Sequence, residues 1–161
     1  MPTSQPPAYD VGIAGAGQLA RMTCLAAWPL GIRVAVLGRA DEPAALMAAG
    51  LVDGDWKDAD AVRALGATVG IVTLENEFVD AAALASVQAA GTPVRPDAAS
   101  LATVQDKALQ KELLRGAGLP TSAFAVAERA DDVVAIGRDL GWPLMLKART
   151  HGYDGYGNAT C

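Results

Sequence analysis

A glycine-rich turn between a short strand and a helix constrains this chain more than any other feature. The residues from Asp10 to Ala14 form an apolar run that leads into Gly15-Ala16-Gly17-Gln18-Leu19-Ala20. An apolar helical pattern continues to about Leu30, and residues 33–37 predict a second buried strand. A strand, a G-x-G-x-x-A turn, a helix and a strand in this order indicate a parallel βαβ unit. They also predict a phosphate site at the helix N-terminus.

The end of the second predicted strand departs from the dinucleotide-binding pattern. A nicotinamide-binding unit requires an acidic residue there for the ribose hydroxyls, whereas this chain has Gly38-Arg39. Arg39 is suited to a 2′-phosphate, and Asp41 follows it closely. The glycine turn therefore supports the fold more strongly than it supports NAD binding.

Strand and helix patterns continue to alternate as far as Pro96. The predicted elements are a helix over 43–49, a strand over 51–52, a helix over 58–65, a strand over 69–73, a helix over 80–90 and a strand over 93–95. Asp80 is suited to cap the last of these helices and Gly91 to end it. This alternation predicts an α/β fold with a parallel sheet that is covered by helices on both faces.

A helical linker and the beginning of a second α/β unit follow. We predict two helical pieces within 97–118, with Asp106 as the N-cap of the second, and then a strand over 123–127, a helix over 130–140 and a strand over 144–147. The chain ends before this unit closes a core. We therefore expect a flexible tail at 1–9, a domain at 10–96, a linker at 97–118 and an incomplete unit at 119–161.

The charge and residue counts exclude several classes of function. A net charge of −5 argues against nucleic acid or an anionic membrane surface as the main partner. Two cysteines and one histidine do not provide a metal cluster or a Ser-His-Asp site. Residues 11–37 are apolar, but Gln18, Arg21 and Arg33 interrupt them, so we expect no membrane span and a cytoplasmic protein.

Two further stretches contain residues suited to chemistry. Lys147 follows a short apolar run and precedes a loop with Gly152, Gly155 and Gly157. Bare backbone N–H groups and a lysine suit a phosphate, although a simple hairpin turn explains the glycines equally well. Glu75 and Glu77 follow the strand predicted over 69–73, where paired carboxylates could bind a cation, an amine or ribose hydroxyls. A solvated acidic loop is the alternative, and it is the better interpretation for Glu77.

A line of positive charge follows the linker. Lys107, Lys111 and Arg115 are spaced by four residues and share one helix face. Such a stripe is usually solvated surface. It gains interest here because Lys147 and the glycine loop follow.

Together these segments resemble one family, the ATP-grasp enzymes of purine biosynthesis called N5-carboxyaminoimidazole ribonucleotide synthetases. The matching segments occur in the family's order along nearly the whole chain. They are Gly15 to Met22, Thr73 to Val79, Gln105-Asp106-Lys107 with Gln110-Lys111, Gly118-Leu119-Pro120-Thr121, and Leu146-Lys147 with Gly152-Tyr153-Asp154-Gly155-Tyr156-Gly157-Asn158. The last of these is the most diagnostic.

The resemblance implies a Rossmann-like pre-ATP-grasp domain followed by the start of an ATP-grasp module. It also implies a reaction in which ATP and bicarbonate form carboxyphosphate and the amine of 5-aminoimidazole ribonucleotide takes the carboxyl group. The implied ATP-binding residues are Lys107, Lys147, Gly152, Tyr153, Asp154, Gly155, Tyr156, Gly157 and Asn158. The implied ribonucleotide-binding residues are Gln18, Leu19 and Glu75. Mg²⁺ is an implied cofactor, and a homodimer is compatible with the family.

The chain departs from the family's pattern at several positions and in length. The family usually has glycine at position 151, glutamine at 158 and Asp-Pro in place of Gly38-Arg39. It also has Glu-Phe-Glu-Asn where this chain reads Glu75-Asn76-Glu77-Phe78. The acidic magnesium ligands and the C-terminal domain have no counterpart in these residues, so we expect no catalytic residue, no metal ligand and no turnover from this chain alone. A paralogous ligase for another substrate and a stand-alone nucleotide- or NAD(P)-binding module are the alternatives.

Overall fold

A computed structural model describes residues 6–152 and 156–161. The chain divides into two compact units, the first ending at Ala102 and the second beginning at Thr103. This boundary falls within the predicted linker. The domain bounds given above, including the tail at 1–9, stay a prediction.

A four-stranded parallel sheet forms the centre of the first unit. Its strands are β1 (Tyr9–Ala14), β2 (Val34–Gly38), β3 (Gly50–Asp53) and β4 (Val69–Leu74). They lie in the order β3-β2-β1-β4, and every pair is parallel. The α/β fold class is confirmed. Because β1 lies between β2 and β4, the turn that leaves β1 has a strand end on either side.

Helices cover both faces of this sheet. They are α1 (Gln18–Ala27), α2 (Ala59–Thr68), α3 (Ala81–Ala89) and α4 (Ala98–Gln105), and a short 3-10 turn (Trp28–Leu30) follows α1. Successive residues of a strand point to opposite faces, so Ile13 packs in a cluster with α1, whereas Ala14 packs in a cluster with α2 and α3. Asp58 and Asp80 cap α2 and α3 by accepting N–H bonds of 2.9 and 2.8 Å.

Two predicted elements of the first unit are wrong or reduced. Residues 43–49 form a series of turns instead of a helix, because the Ala49 N–H, which a helix would pair with the Ala45 carbonyl, donates to the Val34 carbonyl at 2.8 Å. The Ala44 N–H donates to the Ala16 carbonyl at 2.8 Å and ties this segment to the glycine turn. Residues 93–95 make only a single parallel bridge, between Val94 and Val72. The segment therefore pairs with the outer edge of β4 only at the bridge to Val72 and forms no longer ladder with that strand.

The second unit contains two helices and a hairpin. They are α5 (Lys107–Gly116), α6 (Ala130–Leu140), β5 (Met145–Lys147) and β6 (Asn158–Thr160), and β5 pairs with β6 antiparallel. Asp106 caps α5 as predicted. The strand predicted at 123–127 is wrong, since these residues join no ladder in the described part of the chain. The sequence does not predict β6, because three residues at the end of the chain carry too short a pattern.

The buried core lies in the first unit. Among the described residues, the buried hydrophobic side chains all fall between Ile13 and Leu101. In the described part of the chain, no helix is both long and apolar enough to cross a membrane.

Candidate functional site

Glu75 lies at the carboxyl end of β4, beside the glycine turn that leaves β1. Its backbone N–H donates to the Ala14 carbonyl at 3.2 Å, which continues the pairing of β4 with β1 by one residue. On the other side of the turn, the Gly15 N–H donates to the Leu37 carbonyl at 3.1 Å. The strand order therefore places the turn between two strand ends and fixes the Glu75 backbone against it.

The Glu75 carboxylate binds the N-terminus of α1. Its Oε2 accepts the Gly17 N–H at 2.7 Å, and its Oε1 accepts the N–H groups of Leu19 and Ala20 at 3.0 and 3.3 Å. These are the orphan donors that the start of a helix leaves without intrahelical partners. The prediction that this helix end is open to a phosphate is therefore wrong, because a side chain of the same molecule already occupies the donors.

The two glycines of the turn leave room for this carboxylate. A Cβ at Gly15 would lie 2.5 Å from Glu75 Oε2, and a Cβ at Gly17 would lie 2.6 Å from Oε1. Real Cβ atoms do not approach other atoms so closely. The glycine spacing that resembles a dinucleotide fingerprint thus leaves room here for an internal side chain, and Gly15 also has a φ of +126°, which residues with a Cβ rarely adopt.

The other residues predicted to bind a ribonucleotide surround this contact. Gln18 and Leu19 are the first residues of α1, and both side chains are exposed. Asn76 forms a local turn in which its Oδ1 accepts the Phe78 N–H at 3.0 Å. The structure therefore brings Gln18, Leu19 and Glu75 together at one edge of the sheet.

The end of β2 explains the missing acidic residue of the nicotinamide pattern. A Cβ at Gly38 would collide with the Ala16 Cβ and with the Glu42 carboxylate. That carboxylate accepts the Arg39 N–H at 2.6 Å, so Glu42 folds back over the strand end. The Arg39 side chain is exposed and pairs with Asp41 at 3.4 Å. The position suited to a ribose or a 2′-phosphate is therefore held by local contacts.

In the second unit, Asp106 and Lys107 bind the base of the glycine loop. The Asp106 carboxylate accepts N–H groups of Ala108 and Leu109 and also pairs with Arg149 Nε at 2.7 Å. The Lys107 backbone N–H donates to the Arg149 carbonyl at 2.9 Å, and its Nζ donates to the Gly152 carbonyl at 3.2 Å. Partial burial would raise the pKa of Asp106, but the donors of Leu109, Arg149 and Ala108 outweigh it and hold that pKa below its usual value.

Lys147 lies on the exposed edge of the hairpin. It pairs in register with Asn158, and the Ala148 N–H donates to the Gly157 carbonyl at 2.7 Å. Gly157 has a φ of +75°, which a residue with a Cβ adopts only with strain. The stretch is a hairpin connection with Lys147 at its entrance, and the binding of phosphate by this lysine stays a prediction.

The remaining loop residues are placed only in part. Tyr156 begins the second described segment and is exposed, and His151 has a φ of +60°. Tyr153, Asp154 and Gly155, which the resemblance assigns to ATP binding, lie outside the described residues.

Lys111 and Arg115 hold a neighbouring segment and do not form a free cationic stripe with Lys107. Lys111 Nζ donates to Thr121 Oγ1 at 3.0 Å and to Ser122 Oγ at 2.7 Å. Both cations also lie over the ring of Phe124, with Lys111 Nζ 5.3 Å and the Arg115 guanidinium carbon 5.1 Å from its centroid. These two residues therefore fix the chain that follows α5.

Sequence reasoning missed the long-range partners of the site. Asp106 is predicted as a cap, but its pairing with Arg149 crosses 43 residues, and Glu75 reaches Gly17 across 58. The only sequence signal for either contact is that each residue stands next to a predicted element end. The order of the strands decides which ends meet.

The chain matches two protein-family models in succession. Residues 9–105 match the ribonucleotide synthetase preATP-grasp domain, and residues 112–161 match the ATP-grasp domain. Among curated proteins, N5-carboxyaminoimidazole ribonucleotide synthase of Synechococcus elongatus is 40% identical over 152 residues, which are 94% of this chain and 38% of that protein. Phosphoribosylaminoimidazole carboxylase of Ogataea methanolica is 38% identical over 92% of this chain and 28% of its own length.

Solved structures give the same result. Carboxyaminoimidazole ribonucleotide synthase of Aspergillus clavatus, in complex with ATP, is 39% identical to this chain, with a TM-score of 0.86. The match includes 95% of this chain and 41% of the solved chain. The same organism's enzyme with ADP and 5-aminoimidazole ribonucleotide is 38% identical, with a TM-score of 0.85 over 95% of this chain and 40% of its own. This chain thus spans about two fifths or less of these relatives. Since the first of the two models matches more than half of its length, the chain belongs to the ribonucleotide synthetase preATP-grasp domain family.

Proposed function

We propose that this chain is the N-terminal part of an ATP-dependent ligase that carboxylates 5-aminoimidazole ribonucleotide with bicarbonate in the synthesis of IMP. The observation that carries the proposal is the likeness, along almost the whole chain, to a solved enzyme in complex with ADP and 5-aminoimidazole ribonucleotide. The products would be ADP, phosphate and the carboxylated amine. A cytoplasmic homodimer with no nucleic-acid or membrane partner is part of the same proposal. So are the domain bounds 10–96, 97–118 and 119–161.

Gln18, Leu19 and Glu75 would contact the ribonucleotide. They converge at the carboxyl edge of a parallel sheet, which is where open α/β sheets bind their ligands. The N–H groups of α1 hold the Glu75 carboxylate in a fixed position. The ribonucleotide would therefore meet a carboxylate that is already oriented. Its role would be binding and orientation, with the amine chemistry supplied by the substrates.

Lys107, Lys147 and the loop from Gly152 to Asn158 would hold the nucleotide phosphates. Lys147 is exposed at the loop entrance, and Lys107 reaches the loop base. A point charge on each side of a glycine-rich connection suits the oxygens of a polyphosphate. Tyr153, Asp154 and Gly155 are assigned to this group by resemblance alone.

Magnesium does not fit the residues that the structure describes. Within 6–152 and 156–161, no three His, Cys, Asp or Glu side chains come close enough to hold a metal ion. We therefore assign no step of the reaction to a metal held by these residues. ATP-dependent phosphoryl transfer needs cations to neutralise the transferred group, so we expect these 161 residues to show no turnover by themselves.

Calorimetry of the 161-residue chain tests the proposal. We expect 5-aminoimidazole ribonucleotide to bind, Glu75→Gln to weaken that binding, and the matched variant Glu77→Gln to leave it unchanged. A steady-state assay with ATP, bicarbonate and the ribonucleotide should show no product. Binding of NAD or NADP in place of the ribonucleotide would overturn the proposal, and so would ribonucleotide binding that ignores Glu75.

A paralogous ligase for another substrate is the second candidate. His151 and Asn158, which differ from the usual family residues, both lie in the loop region of the nucleotide side and not at the ribonucleotide edge. The departure at Asn76, in contrast, lies beside Glu75 at the ribonucleotide edge and is the one that a different substrate would explain. A stand-alone NAD(P) module is disfavoured because the Glu75 carboxylate occupies the helix donors at which such a cofactor would bind its pyrophosphate group.

A further inference from the structure

We propose that Glu75 determines ligand specificity at the glycine turn by serving as a built-in anion that closes the helix donors of this turn to a pyrophosphate group. Removal of its carboxylate would convert the turn into a binding site for a pyrophosphate group, the part of a dinucleotide that such turns hold. This inference concerns which ligands the turn rejects, and it does not depend on the proposed ligase activity.

The hydrogen bonds of Glu75 reproduce those of a bound anion. Three backbone N–H groups, from Gly17, Leu19 and Ala20, converge on two carboxylate oxygens at 2.7 to 3.3 Å. The same donors, at the positive end of a helix dipole, bind phosphate in other α/β proteins. An anion is therefore already present at this helix end, supplied by the neighbouring strand.

The space that a ligand would need is also filled. A Cβ atom added to either Gly15 or Gly17 would collide with the Glu75 side chain, so its carboxylate lies directly over both glycines. A pyrophosphate group requires that same close approach to bare backbone. The Glu75 side chain therefore blocks both the backbone N–H donors and the space that a pyrophosphate group would need.

An incoming anion would have to displace Glu75 and would gain little by doing so. The Glu75 backbone is paired to β1 through the Ala14 carbonyl, which keeps the carboxylate at a high local concentration beside the donors. Once displaced, the carboxylate would remain near the ligand and repel it. Both effects end when the carboxylate is removed.

The test is a titration of the ¹⁵N-labelled 161-residue chain with inorganic pyrophosphate, in which the amide signals of Gly17, Leu19 and Ala20 are followed. We expect no saturable shift at these amides in the wild type or in the matched variant Glu77→Ala. We expect saturable shifts in Glu75→Ala, with an affinity at least about tenfold higher than in the wild type. The isosteric variant Glu75→Gln, which keeps the side-chain volume and so protects the fold, should give a smaller gain.

Two results would overturn the inference. One is saturable binding of pyrophosphate at these three amides in the wild type. The other is a folded Glu75→Ala or Glu75→Gln chain in which these amides do not respond. Shifts confined to Lys107 and Ala108 count as the second result, because they report binding in the other unit.

Discussion

His151 adopts a backbone conformation that only glycine adopts without cost. Its φ is +60°, in the left-handed region that favours glycine. A left-handed residue with a Cβ is strained by roughly 1–2 kcal/mol, whereas glycine in an ordered loop costs about 0.5–1 kcal/mol in backbone entropy. The two effects oppose each other, so a useful test must separate them.

We expect His151→Gly to protect the loop base, and the neighbouring Thr150→Gly to weaken it. The first variant relieves strain and adds the entropic cost of glycine, while the second adds that cost alone. Hydrogen exchange of the Lys107 amide, which donates to the Arg149 carbonyl, reports the difference. Exchange should be about fivefold slower in His151→Gly than in Thr150→Gly, for a strain of about 1 kcal/mol. Equal exchange rates would show that the strain is absent.

At the scale of elements, α2 and α3 pack closely at one glycine. A Cβ on Gly66 would lie 2.6 Å from Val87 Cγ1 and 3.0 Å from Cγ2. Helix propensity favours alanine over glycine at this position by about 1 kcal/mol, but overpacking a tight contact costs about 1–3 kcal/mol. Packing therefore opposes propensity, and it has the larger magnitude.

We expect Gly66→Ala to lower the free energy of unfolding by up to about 2 kcal/mol in urea denaturation, which is the overpacking cost less the gain in helix propensity. In a Val87→Ala background, the clashing methyl groups are gone, and the same substitution should become neutral or stabilising. The double-mutant cycle isolates the contact. An equal effect of Gly66→Ala in both backgrounds would mean that the helices can separate without cost.

The link between α5 and the glycine loop should depend on pH. The pKa of Asp106 lies below its usual value in the folded chain, so the ionised form is favoured by folding. Its contribution is complete above the unfolded pKa of about 3.9 and is lost as the pH falls through the lower folded value. We expect the amide shifts of Ala108 and Leu109 to change in that acidic range. Asp106→Asn should abolish the transition, and Glu112→Gln, on the same helix, should retain it.

An element can be predicted from the sequence when the interactions that form it join residues close together along the chain. Asp80 and Asp106 are predictable as caps because a cap acts within three residues of itself. The helix predicted over 43–49 is wrong because the Ala49 N–H donates to the Val34 carbonyl, a partner outside the segment, instead of to Ala45. The role of Glu75 depends on β4 lying beside β1, which no local pattern specifies. The resemblance places Glu75 in the site, but only the sheet order shows what it binds.

At the scale of the whole molecule, burial is unevenly distributed between the two units. Leu84 and Leu113 are both helical leucines, yet Leu84 is fully buried and Leu113 is 62% exposed. In the described residues, the second unit has no buried hydrophobic side chain. The first unit therefore supplies the hydrophobic stabilisation of this chain.

We expect Leu84→Ala to lower the free energy of unfolding by about 2–5 kcal/mol, as a cavity in a packed core does. Leu113→Ala should change it by less than about 0.5 kcal/mol, since its side chain is already solvated. Urea denaturation followed by tryptophan fluorescence and by circular dichroism compares the two variants. A loss in Leu113→Ala as large as that in Leu84→Ala would show that the second unit has a core of its own.

The carboxylate over the glycine turn also affects how related sequences are interpreted. The motif G-x-G-x-x-A is commonly searched for as a mark of enzymes that use nicotinamide or flavin. Here the same spacing accommodates an acidic side chain 58 residues further along, at the end of the adjacent strand. A genome survey that also inspected that second position could separate chains whose turn accepts a dinucleotide from chains whose turn is already filled.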